Sequence, residues 1–239
     1  MTGGSDCKLI LWDERLAQLT AIDLNTISTI RPEVRALDFN EATKTFAVGT
    51  SGAEVLAVTA LGKKQATLVQ GHYAAGASSE LWGAACHPTD QLFATCGGDK
   101  RVRIWNERAQ LATSEELPEE VFAIDWSPCG EYLAVGDAKG QVHSLDAKNL
   151  KLQSTSGHKS KVPGKAPWVE AVRFSPDGRF VAWGVHGGGS NVEVAAADSK
   201  SFKLRHEASI DVELPSSLAQ LDWSEDSRLL SVVSETHEL

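Results

Sequence analysis

Residues 71–106 read GHYAAGASSELWGAACHPTDQLFATCGGDKRVRIWN, opening on Gly71-His72 and closing on Trp105-Asn106. The last residues form an apolar run that reads as a strand. Two further strand-like runs precede it, and Gly97, Gly98 and Asp99 mark a tight turn. His72, Thr95, Asp99 and Trp105 are spaced so that each polar group can satisfy the next in a buried hydrogen-bonded chain. Leaving one such group unpaired costs about 1–3 kcal/mol. The tetrad therefore reads as structural rather than as a Ser/Thr-His-Asp catalytic set, since no oxyanion site accompanies it. On this reading Asp99→Ala costs stability and no activity.

The pattern recurs. Short β-branched or aromatic runs bounded by Gly, Asp, Ser or Pro fill the chain, and Phe39, Cys86, Trp126, Phe174 and Trp223 hold equivalent first-strand positions at intervals of 40 to 49 residues. A Gly-His…Trp-Asp signature repeating every ~40–45 residues is that of the WD repeat, one four-stranded β-propeller blade each. The expected fold is all-β, a WD-repeat β-propeller of about five blade-equivalents in a single domain spanning 1–239. Full blades are expected over 34–70, 80–116, 121–156 and 169–208, with halves at 1–24 and 218–239. The first half-blade is read as lacking its first two strands, with residues 2–6 forming a turn. The halves could join to close a five-bladed ring. The reading preferred is an arc of a larger ring, completed by remaining blades or a neighbouring chain, because open edges and half-buried faces need covering.

A net charge of −9 argues against unspecific attraction to nucleic acid or anionic membrane. No apolar run approaches the ~18 residues of a membrane span. The four cysteines, Cys7, Cys86, Cys96 and Cys129, show no C-x-x-C spacing, and no signal-like segment opens the chain; both features point to a reducing cytosolic setting.

Other candidate chemistry is weak. Cys86, His87 and Cys96 invite zinc, but a structural zinc wants four ligands, and Cys86 stands where other repeats place Trp126 or Phe174. No metal and no cofactor is expected. The glycine run at 184–191 leads into no helix and no Gly-Lys-Ser/Thr, so it reads as a long hairpin. Asp125 and Asp222, just before aromatic positions, are expected to bond neighbouring backbone rather than a substrate, which leaves a channel hydrolase as the distant alternative. Charge is more informative. Blade-joining loops and second-to-third-strand turns emerge on one face, which should carry Lys159, Lys161, Lys165, Lys100, Arg101 and Lys139. Glu115, Glu116, Glu119 and Glu120 share it. This face is the candidate partner-binding surface, with Trp168 as a candidate anchor.

Four segments carry a closer likeness: QGHYAAGASSELWGAACHP with FATCGGDKRVRIWN, then YLAVGDAKGQVHSLDA, VRFSPDGRFVAWG, and the closing SSLAQLDWSEDSRLLSVVSETHEL. In Gly-His, Glu-Leu-Trp-Gly, His-Pro and Thr-Cys-Gly-x-Asp-Lys order, the chain resembles the echinoderm microtubule-associated protein-like family from about Val34 to the end. The resemblance implies a piece of the second of two tandem propellers. It also implies a non-catalytic scaffold with tubulin, microtubules or axonemal proteins as partners, in the cytoplasm and cytoskeleton and at the cilium or flagellum. The chain departs from the family at residues 73–79, at the lengthened 159–167 connection and at Ala195. The family's basic microtubule-gripping N-terminal region is absent from it. A WD-repeat scaffold of another assembly, in ciliary transport or as a ubiquitin-ligase adaptor, is the alternative.

Overall fold

A computed structural model describes residues 2–28, 31–40, 45–59, 65–73, 80–106, 109–157, 167–186, 191–198, 200–212 and 218–234. The chain divides into two compact units, Met1–Ala77 and Ser78–Leu239.

In the first unit β1 (Thr2–Gly3), β2 (Lys8–Trp12) and β3 (Gln18–Asp23) make a three-stranded antiparallel sheet. A 3-10 turn at Leu24–Thr26 follows, capped by Asp23 accepting from the Asn25 amide. Then β4 (Val34–Asn40), β5 (Thr45–Thr50), β6 (Glu54–Thr59) and β7 (Gln65–Gln70) form a four-stranded sheet. Alternation places Phe46, Val48, Leu56 and Val58 inside, where they meet Leu9, Ile22 and Leu24. Here the sequence reading needs correction. Residues 2–6 are not only a turn: Thr2 pairs with Ile10 and Gly3 with Leu9. Gly3 lies so close to the next sheet that a Cβ there would sit 2.7 Å from Val34 Cγ1.

The second unit stacks three four-stranded sheets and a hairpin. They are β8 (Leu81–Cys86) to β11 (Gln110–Thr113), with β9 at Leu92–Gly97 and β10 at Val102–Asn106; then β12 (Val121–Trp126), β13 (Tyr132–Asp137), β14 (Gln141–Asp146) and β15 (Leu152–Gly157). Next come β16 (Trp168–Phe174), β17 (Phe180–His186), β18 (Asn191–Ala197) and β19 (Leu204–Asp211), and last β20 (Leu218–Trp223) with β21 (Leu230–Ser234). The first strands β8, β12, β16 and β20 lie side by side in that order. Apolar clusters fill the spaces between successive sheets: Val121, Ile124 and Trp126 against Cys96 and Ile104, then Val169, Val172 and Phe174 against Ala134 and Val142. Burying these faces is the main stabilising contribution.

The repeat read from sequence is present in the register. Phe39, Cys86, Trp126 and Phe174 each pair with the second residue of the following strand, Phe46, Phe93, Leu133 and Val181, and Trp223 pairs with Leu230, the first residue of β21. Each of these hairpins also carries a bulge near the start of its first strand, as between Val121 and Ala123 or Val169 and Ala171. The Ser-Pro-x-Gly hairpin turns close with Gly130 and Gly178 at φ +74° and +71°, their amides donating to Ser127 and Ser175 carbonyls at 2.8 Å.

Adjacent sheets are latched through these equivalent positions. Trp126 Nε1 donates to the Ala85 carbonyl at 3.1 Å, and Trp223 Nε1 to the Arg173 carbonyl at 3.2 Å. In both cases the acceptor immediately precedes the equivalent residue of the preceding sheet. Asp125 Oδ2 accepts from the Phe174 amide at 2.8 Å, and Asp222 Oδ1 from the Trp223 amide at 2.9 Å. Both carboxylates thus serve backbone.

Candidate functional site

Buried polar chemistry in the second unit is concentrated on the third strands. Arg103, His143 and Glu193 occupy one register position, opposite Thr95, Val135 and Trp183. Each is buried, and each has a charged or titratable partner. Arg103 Nη1 donates to Asp99 Oδ2 at 2.6 Å, with both side chains less than 5% exposed. His143 bridges Asp137 Oδ2 at 3.0 Å and Thr155 Oγ1 at 2.9 Å, while Asp137 Oδ1 accepts the Lys139 and Gln141 amides at 2.8 Å each. Glu193 accepts from Ser209 Oγ at 2.6 Å and lies 2.7 Å from His206 Nε2.

Of the tetrad read from sequence, Trp105 Nε1 donates to Thr95 Oγ1 at 2.8 Å. Asp99 is buried in the same unit, and its strong partner is Arg103, which sequence reasoning passed over. His72 is buried within the first unit. The missed signal was a column: aligned by repeat, Arg103, His143 and Glu193 fall together, and a polar residue recurring at an inward position must carry its own partner.

The Ser209, His206 and Glu193 group contains the residue types of a hydrolytic triad but not its wiring. Ser209 and Glu193 both meet the same imidazole nitrogen, at 3.2 and 2.7 Å, and Ser209 also donates to Glu193. A relay needs the acid on one ring nitrogen and the nucleophile on the other. The arrangement ties β18 to β19.

Cys86 and Cys96 do not converge with His87. Cys86 is exposed, whereas Cys96 is buried, its thiol pushed up by burial. His87 Nε2 lies 3.2 Å from the Gly130 carbonyl and Nδ1 accepts the Asp90 amide at 2.9 Å, so backbone occupies both ring nitrogens. Among the described residues no three His, Cys, Asp or Glu side chains cluster as a metal site would need.

The candidate partner face is formed by the β9–β10 and β13–β14 turns together with the β11–β12 connection. Among the described residues, its cations are held within the molecule. Lys100 Nζ donates to the Pro118 carbonyl at 3.0 Å, Arg101 Nη1 donates to the Ser114 carbonyl at 2.8 Å while its Nη2 lies 3.9 Å from Glu116 Oε2, and Lys139 pairs with Glu119. The described basic and acidic residues are therefore interleaved, and exposed pairs of this kind contribute little stability. Trp168 is half-buried, its Nε1 donating to Glu170 at 2.8 Å and its ring 3.8 Å from that of His186. Two further aromatics, Trp82 of the Glu-Leu-Trp-Gly motif and Phe122, sit at the bulges of β8 and β12 with ring centroids 5.2 Å apart, edge to face. Lys159, Lys161, Lys165 and the centre of the glycine run, 187–190, lie outside the described residues.

The Asp125 carboxyl is raised from its ordinary value, chiefly by burial, with the Phe174 amide opposing. Its folded form binds protons more readily than the unfolded chain. The stability linked to it is full below the ordinary carboxylate pKa of about 3.9 and falls away as pH rises through the raised value. Asp125→Asn keeps an acceptor for the Phe174 amide and removes the titration. The variant should therefore gain stability relative to wild type as pH rises from about 4 to 7, read as urea midpoints. A difference constant across that range would refute the assignment.

Two family models match: the WD domain G-beta repeat over residues 62–106, and the anaphase-promoting complex subunit 4 WD40 domain over residues 87–171. A chain in the crystal structure of the mitotic checkpoint complex superimposes with a TM-score of 0.58 at 18% identity, covering 98% of this chain and 67% of that one, a likeness of fold. The 77 kDa echinoderm microtubule-associated protein of Strongylocentrotus purpuratus is 29% identical over 238 residues. Echinoderm microtubule-associated protein-like 4 of Homo sapiens is 30% identical over 241, and the like-named protein 2 of Mus musculus 29% over 244. Each match takes in 99% of this chain, which spans 32%, 22% and 34% of the respective relatives. The chain is a WD-repeat β-propeller sequence that resembles the echinoderm microtubule-associated protein-like family along 99% of its length.

Proposed function

We propose that this chain is a non-catalytic protein-interaction scaffold that associates with tubulin or microtubules. The observation that carries the reading is the likeness, over 99% of the chain, to proteins named as microtubule-associated. The polar chemistry of the second unit agrees with it: Asp125, Asp222, Asp137 and Asp99 are each engaged by backbone or by a buried partner side chain. The finer reading is that the loop bearing Lys159, Lys161 and Lys165, with Trp168 at its end, meets an acidic surface of the partner. Lys100, Arg101 and Lys139, already paired with neighbouring acids and carbonyls, shape the face beside it. Cytoplasmic, cytoskeletal and, more narrowly, axonemal placement follow from the same partner.

Cosedimentation with taxol-stabilised microtubules tests both levels. The chain should pellet with microtubules, and Lys159→Glu, Lys161→Glu and Lys165→Glu combined should lower the bound fraction severalfold at physiological salt, because reversing three rim charges against an acidic surface slows association and weakens the complex. Equal pelleting of the two forms would discard the basic loop. No pelleting of either would discard the microtubule reading for this chain.

A further inference from the structure

At the other end of the strands, away from Lys100, Arg101 and Lys139, the sheets β8–β11 and β12–β15 flank a groove of about 530 Å³. It is bounded by the β8–β9, β12–β13 and β14–β15 turns. The floor is apolar: Ile104 and Trp126 are buried there, and Leu92 and the half-exposed Leu111 form the wall. The mouth is acidic. Among the described residues of the lining, Asp90, Glu131 and Asp146 stand around it with Lys148 as the one lysine or arginine.

The groove is also held in shape. His87 ties the β8–β9 turn to the β12–β13 turn through the Gly130 carbonyl, and its ring stands edge to face on Trp126 with centroids 4.6 Å apart. A Cβ on Gly130 would lie 2.3 Å from His87 Nε2, so glycine is what lets this contact form. Asp146 Oδ1 accepts the Lys148 and Asn149 amides at 2.8 and 3.2 Å, which fixes that carboxylate at the rim. A preformed apolar slot with fixed charges needs little ordering on binding.

Among the described lining residues, three carboxylates against one ammonium select the ligand. We propose that this groove docks an extended basic segment of a partner protein, with one aliphatic side chain seated on Trp126 and Leu111 and flanking Lys or Arg side chains against Asp90, Glu131 and Asp146. The charge complementarity is opposite to that of the lysine-bearing loop. An acidic surface is repelled here, so the two ends of the sheets can hold different partners at once. The inference does not depend on microtubule association.

The test is fluorescence anisotropy of labelled acetyl-Lys-Arg-Leu-Leu-Arg-Lys-amide titrated with the whole chain. Saturable binding is expected, weakening as salt rises. Asp90→Lys with Glu131→Lys should lower the affinity about tenfold or more, as should Leu111→Asp alone. All three side chains are exposed, so circular dichroism should show the fold unchanged. A peptide with Ser in place of both Leu residues should lose most of the affinity, and one with Glu in place of its basic residues should not bind. Absence of binding, equal binding of the Ser peptide, or affinities unmoved by either variant would each overturn the proposal.

Discussion

Replacing Asp99 by alanine is expected to lower the unfolding free energy by about 3–5 kcal/mol, more than a single neutral hydrogen bond supplies. The reason is Arg103. Its guanidinium and the Asp99 carboxylate are both almost fully buried and 2.6 Å apart, and Asp99 also receives the Arg101 amide within the β9–β10 turn. Removing the carboxylate takes from a charge in a low-dielectric interior a close group that offsets its desolvation. The companion experiment separates this pair from the His-Thr-Asp-Trp chain that the spacing alone suggests. Arg103→Met in the Asp99→Ala background removes the buried charge while keeping apolar bulk, so the double variant should recover a large part of the loss. If Asp99 acted chiefly through His72, the second substitution would add damage instead. Urea midpoints of the four proteins in the cycle decide between the two. A loss below about 1 kcal/mol for Asp99→Ala would show that the buried pair is not what holds this turn.

The contrast between what could and could not be read from sequence follows from range. Strands whose ends are marked by turn residues and whose faces alternate were legible to the residue: Thr45–Thr50, Tyr132–Asp137, Gln141–Asp146 and Asn191–Ala197. The outer strands were less so. Leu152–Gly157 and Leu204–Asp211 start two residues later than their apolar content suggests, because Leu150 and Phe202, at φ 55° and 47°, turn inward to the core before the strand begins. The strand at Thr2–Gly3 was missed since two residues carry no periodicity. Its glycine looks like turn chemistry until its nearness to Val34 is known. At the partner face the charges were legible and their pairing was not. Whether Lys139 reaches outward or to Glu119 depends on how close the β11–β12 connection passes to the β13–β14 turn.

The glycines of the second strands test the stacking of sheets more sharply than any polar contact. A Cβ built on Gly136 would lie 2.3 and 2.6 Å from Val169 Cγ1 and Cβ in the next sheet; one on Gly184 would lie 2.4 Å from Leu218 Cδ2. On Gly49 of the first unit it would meet the Ala36 Cβ at 3.4 Å, an ordinary contact across its own hairpin. Val169 is β-branched, fully buried and fixed at χ1, so its methyl cannot swing aside and the two sheets must part. Leu218 presents the far end of a longer side chain, which can change rotamer. Gly136→Ala is therefore expected to cost about 3 kcal/mol, Gly184→Ala about 1–2, and Gly49→Ala less than about 1. Thermal or urea unfolding of the three variants reads the order directly. Equal losses at all three would mean that the penalty is local to each strand. Only the graded order follows if β13 and β16, and β17 and β20, are pressed together as successive blades.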